Sequence, residues 1–504
     1  MSEKISFDEL KKMMEDPNID DSKLAPYLVI DGSSDPFAPR MIPNPETVDT
    51  EEPIARGIGI IDRVIDGGMA GLNALARAAR HRHYDGVVAS GKYRVKVVSE
   101  GDSWFQFPVA LTDVIDHLSG GSFRDCEGTY NYAVYSLGAG GDLLSGEKGI
   151  IKQNEIPAAL EKTGAEILLI SIGGNDLLGN IGPLLKRGNS EKPEDYLDEN
   201  EFEYKMKDVF KAYSKFLASI LEQFEQVNIL CHGYDYAIPS NRNVFLGLTL
   251  HKPMMEKGIT APVLQKAIMR HVVDVVNDQL VELVIKPLNA KYKQRVHYVD
   301  CRGAIGDHRW HDEIHPNDEG FLFVAKRFHK KIVEITGIPD KEKGCIHPSD
   351  IDPNYYYRII EFTKGEDVRL HEGVLKRWER LDTDEQLFLF RPLGDGWYQI
   401  SCKANPDQVW TLTHEAIFGF GDFHVVKMGA STTPPSVYNK FKIVPDGDDV
   451  LTFKIEEATN HEVIDVYKGV SGLDWGPYVG CLCRWEPVNL ARQRFKLKKV
   501  GPKE

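Results

Sequence analysis

The segment Ile167-Leu168-Leu169-Ile170-Ser171-Ile172-Gly173-Gly174-Asn175-Asp176 is an apolar run that stops at two glycines and a polar pair. A short, nearly unbroken apolar run closed by a turn signal reads as a buried strand. Four further runs read the same way: Tyr93–Val98, Tyr132–Leu137, Val227–Cys231 and Val296–Val299. Between them apolar residues recur at helical spacing, most clearly over 201–226 and 261–288. Strand–helix alternation implies parallel strands joined by right-handed crossovers, hence an α/β sandwich over about residues 93–336. In such a sheet the reactive loops lie beyond the carboxyl ends of the strands.

Outward from this region the chain divides. Its 504 residues fit two or three domains. Residues 1–90 form an N-terminal extension: 16–56 are rich in Pro, Asp and Ser and read as loop. Ile58, Ile61, Val64, Ile65, Met69, Leu72 and Leu75 then follow at helical spacing, interrupted by Gly67-Gly68. That helix either packs on the next domain or lies on a membrane surface with Arg77, Arg80 and Arg82 as its basic end; core packing is the stronger reading. Residues 337–353 hold Pro, Gly and charge without periodicity and read as a linker.

From 354 to 504 short aromatic and β-branched runs replace the helical pattern: Tyr355–Phe362, Leu387–Phe390, Trp397–Ile400, Lys440–Val444, Leu451–Ile455, Val463–Tyr467 and Phe495–Val500. This tail repeats. Gln386-Leu387-Phe388, Asn439-Lys440-Phe441 and Gln493-Arg494-Phe495 are spaced 53 and 54 residues apart. Three all-β repeats with one polar-x-aromatic landmark suggest a three-fold closed β structure. The tail resembles ricin-type β-trefoil modules, whose repeats carry a Gln-x-Trp landmark. Here Phe stands at every Trp position, so the landmark is expected to serve the core; a carbohydrate ligand is what the resemblance implies.

Composition excludes several classes. Acidic residues outnumber basic ones, 76 to 61, for a net charge of −15. Such a chain repels a phosphate backbone, and no basic face offsets it, so nucleic acid is excluded as the main partner. No window has the length of a membrane span, and the charged N-terminus lacks a Sec signal. Seven scattered cysteines, only Cys481 and Cys483 close together, read as reduced thiols. The expected location is cytoplasmic, with a non-Sec export route open. Gly86–Lys92 matches the first seven positions of a P-loop, but Tyr93 replaces the magnesium-binding Ser/Thr and a strand follows where a helix is needed.

Four short segments fall at expected strand ends: Gly101-Asp102-Ser103-Trp104, Gly138-Ala139-Gly140-Gly141-Asp142, Gly173-Gly174-Asn175-Asp176 and Asp312-Glu313-Ile314-His315-Pro316. Taken singly each is an ordinary turn. Together they supply a hydroxyl at a sheet edge, glycine N–H groups, an uncharged amide donor, and a carboxylate three residues from an imidazole. A metal site built on His308, His311 and His315 competes but lacks an HExxH arrangement.

In this order the segments resemble the four blocks of the SGNH (GDSL-type) hydrolases, over roughly residues 93–336. The resemblance implies a three-layer α/β/α, flavodoxin-like parallel sheet within 91–336 and esterase- or lipase-type acyl hydrolysis without a cofactor or metal. Carried over by position, Ser103 is the nucleophile, His315 the general base and Asp312 its orienter. The Ser103 N–H, a glycine N–H (Gly141, ahead of Gly138 and Gly140) and the Asn175 side chain form the oxyanion hole. Trp104 departs from the usual small residue. A small-molecule or lipid ester is the implied substrate, with Leu177, Leu178, Tyr234, Tyr236, Phe245 and Leu246 as candidates to line an acyl pocket. Two rival readings are a catalytically quiet, lectin-like binding protein and a lipid-directed toxin or defence effector.

Overall fold

The computed structural model describes residues 4–6, 9–10, 27–30, 41–44, 47–49, 73, 76–107, 111–145, 149–179, 181–190, 192–240, 250–339, 344–363, 365–415, 423–446, 449–466, 481–485 and 493–503. Two compact units are present. One comprises Met1–Asp116 and Tyr132–Ile338, the other His117–Asn131 and Pro339–Glu504.

The first unit is built on strands β1 (Tyr93–Gly101), β2 (Tyr130–Ser136), β3 (Ile167–Ser171), β4 (Asn228–His232) and β5 (Val296–Val299). Their order across the sheet is β2-β1-β3-β4-β5. The β1–β3, β3–β4 and β4–β5 pairs are parallel. Every residue of β3 is buried, the signature of a strand covered on both faces. All five strands fall where the apolar runs placed them.

Helices fill the connections. Helix α1 covers residues 76–90, followed in chain order by α2 (Glu155–Thr163), α3 (Gly174–Leu178), α4 (Glu199–Gln223), α5 (Pro262–Leu280) and α6 (Asp318–Thr336). Caps agree with sequence: Asp198 accepts from Glu201 N at the start of α4, and Asn317 accepts from Gly320 N at the start of α6. Two arginines of α1 pair with acidic residues of the fold, while Arg82 is exposed. Arg80 is paired with Asp113 at 2.6 Å and Asp116 at 2.9 Å, and Arg77 with Glu155 at 2.9 Å. These two arginines are therefore spent on ion pairs within the fold, which leaves Arg82 as the one exposed arginine of the three expected as a basic end. Ile58, Ile61, Val64, Ile65, Met69, Leu72 and Leu75 lie outside the described residues. Gly86–Ser90 belongs to the last turns of α1, so the P-loop match is helix. Within 16–56, expected as loop, Leu28–Ile30 pairs with Met41–Pro43 in a short antiparallel ribbon.

The second unit is all-β in its C-terminal part. Its strands are β6 (Tyr355–Glu361), β7 (Asp367–His371), β8 (Val374–Trp378), β9 (Phe388–Gly394), β10 (Trp397–Cys402), β11 (Asn405–Glu415), β12 (Phe423–Ala430), β13 (Phe441–Asp446), β14 (Asp449–Glu457), β15 (Val463–Val466), β16 (Leu482–Trp485) and β17 (Phe495–Pro502). They join into one antiparallel system of 12 strands. The repeat is visible: Gln386, Asn439 and Gln493 are all buried in short 3-10 turns, and Phe388, Phe441 and Phe495 follow at 0% exposure in one core with Trp410 and Phe453. Gln386 Nε2 donates to Glu379 O at 2.7 Å while its Oε1 accepts from Leu381 N at 2.8 Å. This landmark amide is thus committed to the backbone.

One expectation is overturned here. Cys126 and Cys345 form a disulfide, their Cα atoms 5.2 Å apart across a sequence separation of 219. Spacing along the chain could not show it, because the 15 residues His117–Asn131 fold with the C-terminal unit rather than with their sequence neighbours. Gly121 N donates to Thr363 O at 2.8 Å, and buried Lys496 donates to the carbonyls of Gly121, Ser122 and Arg124 at 3.3, 3.4 and 3.1 Å. The cytoplasmic reading loses its cysteine argument, since disulfides persist mainly in oxidising compartments. Cys231, Cys301, Cys402, Cys481 and Cys483 are buried and take no part in this disulfide. Among the described residues no helix is long and apolar enough to cross a membrane.

Candidate active site

The sequence segments converge at the carboxyl ends of the parallel strands. β1 ends at Gly101, whose added Cβ would lie 2.6 Å from Ser171 O, so a side chain there would collide with β3. The chain turns immediately, with Asp102 N donating to Ser171 O at 2.8 Å, and presents Ser103. Ser103 Oγ lies 2.7 Å from His315 Nε2. On the other side of the ring, His315 Nδ1 lies 2.8 Å from Asp312 Oδ2. With Asp312 ionised, Nδ1 carries the proton and Nε2 is left to accept from the serine hydroxyl.

Asp312 is held by more than the imidazole. Its Oδ1 accepts from Ile314 N at 2.9 Å and His315 N at 2.7 Å. Burial pushes its carboxyl up, but His315 and these hydrogen bonds outweigh burial and hold it below the usual carboxylate range. Both ring nitrogens of His315 are occupied, which removes it from the alternative set of His308, His311 and His315 as metal ligands. Among the described residues no three His, Cys, Asp or Glu side chains gather as a metal site.

Trp104 has a role that the sequence left open. Its indole N–H donates to Ile314 O at 3.1 Å, tying the nucleophile turn to the His315 segment. Phe107 meets the His315 ring edge-on at 5.0 Å. The neighbouring Glu313, 1% exposed, accepts from Ser240 N at 2.9 Å, His251 N at 2.8 Å and Leu250 N at 2.9 Å.

The second and third segments lie against each other. Asn175 Nδ2 donates to Asp142 O at 2.9 Å, leaving its second amide hydrogen unassigned. Asp176 accepts from Leu144 N at 2.8 Å. Of the three candidate glycines, Gly140 is committed, its N–H donating to Asn73 Oδ1 at 3.1 Å and its carbonyl accepting from Asn73 Nδ2 at 3.3 Å. Gly141, in the left-handed region at φ 86°, has no such partner among the described residues, and neither does the Ser103 N–H. The Gly138 N–H likewise has no such partner among the described residues, so this bonding sets Gly140 aside without choosing between Gly138 and Gly141. Asn73, far upstream, carried no sequence signal.

Beneath the nucleophile lies a second network. Asp102 Oδ1 accepts from Trp104 N at 3.1 Å and Ser171 Oγ at 3.0 Å, while Oδ2 accepts from the Tyr234 hydroxyl. Tyr234 N donates to His232 Nδ1 at 3.2 Å, which fixes that ring's proton on Nε2, 2.9 Å from Ser171 Oγ. Burial pushes His232 down to about 3, so it is neutral. Burial pushes Asp102 up to about 6 against the hydrogen bonds it receives. Tyr234, read from sequence as a pocket-lining candidate, is thus a hydrogen-bonding element of the nucleophile turn. Leu177 is core, and Phe245 and Leu246 lie outside the described residues.

No protein-family model and no curated protein matches the chain. Solved structures similar to it include the designed three-fold symmetric protein ThreeFoil, at 14% identity over 29% of this chain and 99% of that one, TM-score 0.24. A ricin B-like lectin of Macrolepiota procera in complex with lactose is similar at 11% identity over 30% of this chain and 99% of that one, TM-score 0.25. The Rhizoctonia solani agglutinin is similar at 14% identity over 30% and 97%, TM-score 0.23.

Proposed function

We propose that the α/β unit is a serine ester hydrolase of SGNH type, acting through an acyl-serine intermediate. The observation that carries this reading is the bonded relay Ser103 Oγ–His315–Asp312, at 2.7 and 2.8 Å. His315 takes the Ser103 proton as Oγ attacks the ester carbonyl. The Ser103 N–H, the Gly141 N–H and the free amide hydrogen of Asn175 receive the developing oxyanion. His315 then gives its proton to the departing alcohol, leaving an acyl-serine. Water attacks with His315 again as base, and the acid leaves. Asp312 fixes the tautomer and stabilises the imidazolium.

The substrate is a small-molecule or lipid ester. Labelling by a fluorophosphonate probe tests the reading: Ser103 is modified in the intact chain, and Ser103→Ala abolishes both labelling and release of a short-chain ester. A folded wild-type protein that neither labels nor cleaves across a panel of acyl lengths sinks it and favours the quiet binding protein. For the β unit we infer a trefoil-type module of three repeats; a carbohydrate partner is tested by a glycan array with the full chain, and binding to no glycan removes it.

A further inference from the structure

The geometry points to Tyr234 as a positioning residue of this site: its hydroxyl couples the turn that carries Ser103 to the turn that carries Asn175. The inference rests on the hydrolase reading above and adds a residue that none of the four segments contains. The hydroxyl donates to Asp102, one residue before Ser103, and accepts at 3.2 Å from the N–H of Gly174, one residue before Asn175. One oxygen thus bridges the two turns that must be in register for nucleophile and oxyanion donor to act on one carbonyl.

The rest of Tyr234 is built for that placement. Its φ of 71° is in the left-handed region, a costly conformation for an aromatic residue that persists only where its surroundings enforce it. Four contacts enforce it. Its N–H is bonded to His232 Nδ1 at 3.2 Å. Its ring stands edge-on to Trp104 at 5.1 Å and so close to Gly174 that a Cβ there would lie 2.6 Å from it. The preceding Gly233 has its carbonyl held at 2.9 Å by Asn277 of α5, and a Cβ on Gly233 would lie 2.3 Å from Asn277 Oδ1. The turn is seated from both sides.

Removing the hydroxyl has a second consequence. Asp102 is faced by Trp104 N on its own turn, Ser171 on β3, Tyr234 just after β4, Tyr213 on α4, His315 across the site and the Asp142 charge on the glycine loop, while His232 at the end of β4 reaches it through Ser171. His232 is neutral, so it does not hold the carboxylate ionised. After burial, the Tyr234 hydrogen bond is the largest influence on Asp102, and it favours the ionised form. Without it Asp102 protonates at higher pH, and the acid limb of turnover moves toward neutrality.

The test uses Tyr234→Phe in the full chain, which keeps the ring against Gly174 and Trp104. The expected result is a loss of about 10- to 100-fold in kcat and in fluorophosphonate labelling rate, with KM little changed. The acid limb moves up in pH, and amide hydrogen exchange quickens in 101–105 and 173–177. Ser171→Ala removes the other side-chain donor to Asp102 but leaves the bridge, so it moves the pH limb without quickening exchange at 173–177. Wild-type-like labelling, pH profile and exchange in a folded Tyr234→Phe protein overturn the inference. If wild-type Ser103 resists the probe, the hydrolase reading fails instead. Exchange still decides whether Tyr234 couples the turns, because it needs no turnover.

Discussion

Asn175 shows how little freedom a candidate oxyanion donor has. One amide hydrogen is held by Asp142 O at 2.9 Å, which orients the carboxamide; in the proposed reaction the other would meet the oxyanion. Replacement by Ala removes the donor and loosens the glycine loop together. The expected outcome for Asn175→Ala is a folded protein with kcat lower by about 10²- to 10³-fold. Near-parental turnover of a short-chain ester would exclude Asn175 from the site. At this scale the sequence was informative about Ser103, Asn175, Asp312 and His315 only as an ordered set, since each by itself sits in an ordinary turn. It gave no role to Asn73, offered Tyr234 only as a pocket-lining candidate, and gave no role to Glu313. Their types are ordinary, and their roles depend on partners 67, 132 and 73 residues away.

Strand β1 carries a prediction of its own. Glu100 lies in this strand at 2% exposure, its Oε1 accepting from Gly101 N at 2.9 Å. Burial, reinforced by the Asp142 charge, pushes its carboxyl up to about 8. The folded state therefore binds this proton more tightly than the unfolded chain, whose carboxyl ionises near 4.5. The stability that the proton contributes is fully present below the unfolded value and is lost as pH rises through about 8. Asp142, pushed by burial to about 7, acts in the same direction. Glu100→Gln keeps an acceptor for Gly101 N and removes the titration. Its melting temperature should exceed wild type at pH 9 and fall less between pH 5 and 9. The gain is about 1.4 kcal/mol for each pH unit that separates ionisation in the folded and unfolded chains. Parallel melting curves for the two proteins across that range would refute it. Element types in the α/β unit were legible because a fully buried strand needs a continuous apolar run. In the tail β7, β8, β11, β12 and β16 escaped the reading. The β7–β8 hairpin turns on Glu372 and Gly373, both at positive φ, between strands half charged on their outer faces.

Across the whole molecule the chain contributes to the C-terminal unit twice, through His117–Asn131 and from Pro339 onward, and Cys126–Cys345 ties these two stretches together within that unit. Cross-linking residues so distant in sequence limits the unfolded ensemble, an effect of about 2–5 kcal/mol for native disulfides. Cys345→Ser, or reduction, is expected to lower the unfolding free energy by that amount, and non-reducing peptide mapping of the native protein should return the 126–345 pair. Seven free thiols in the folded, non-reduced protein would refute the pairing. The sequence by itself determined the strand order along the chain, the strand-end placement of three of the four chemical segments (Asp312–Pro316 lies in the loop before α6, well past β5) and the three-fold period of the tail, because burial and turn formation act through neighbouring residues. Only the tertiary structure decided that Cys126 meets Cys345, that Arg77 and Arg80 of α1 pair with acidic residues of the fold, and that one tyrosine hydroxyl joins two loops. Those contacts depend on distances through space, which the order of residues does not encode one pair at a time.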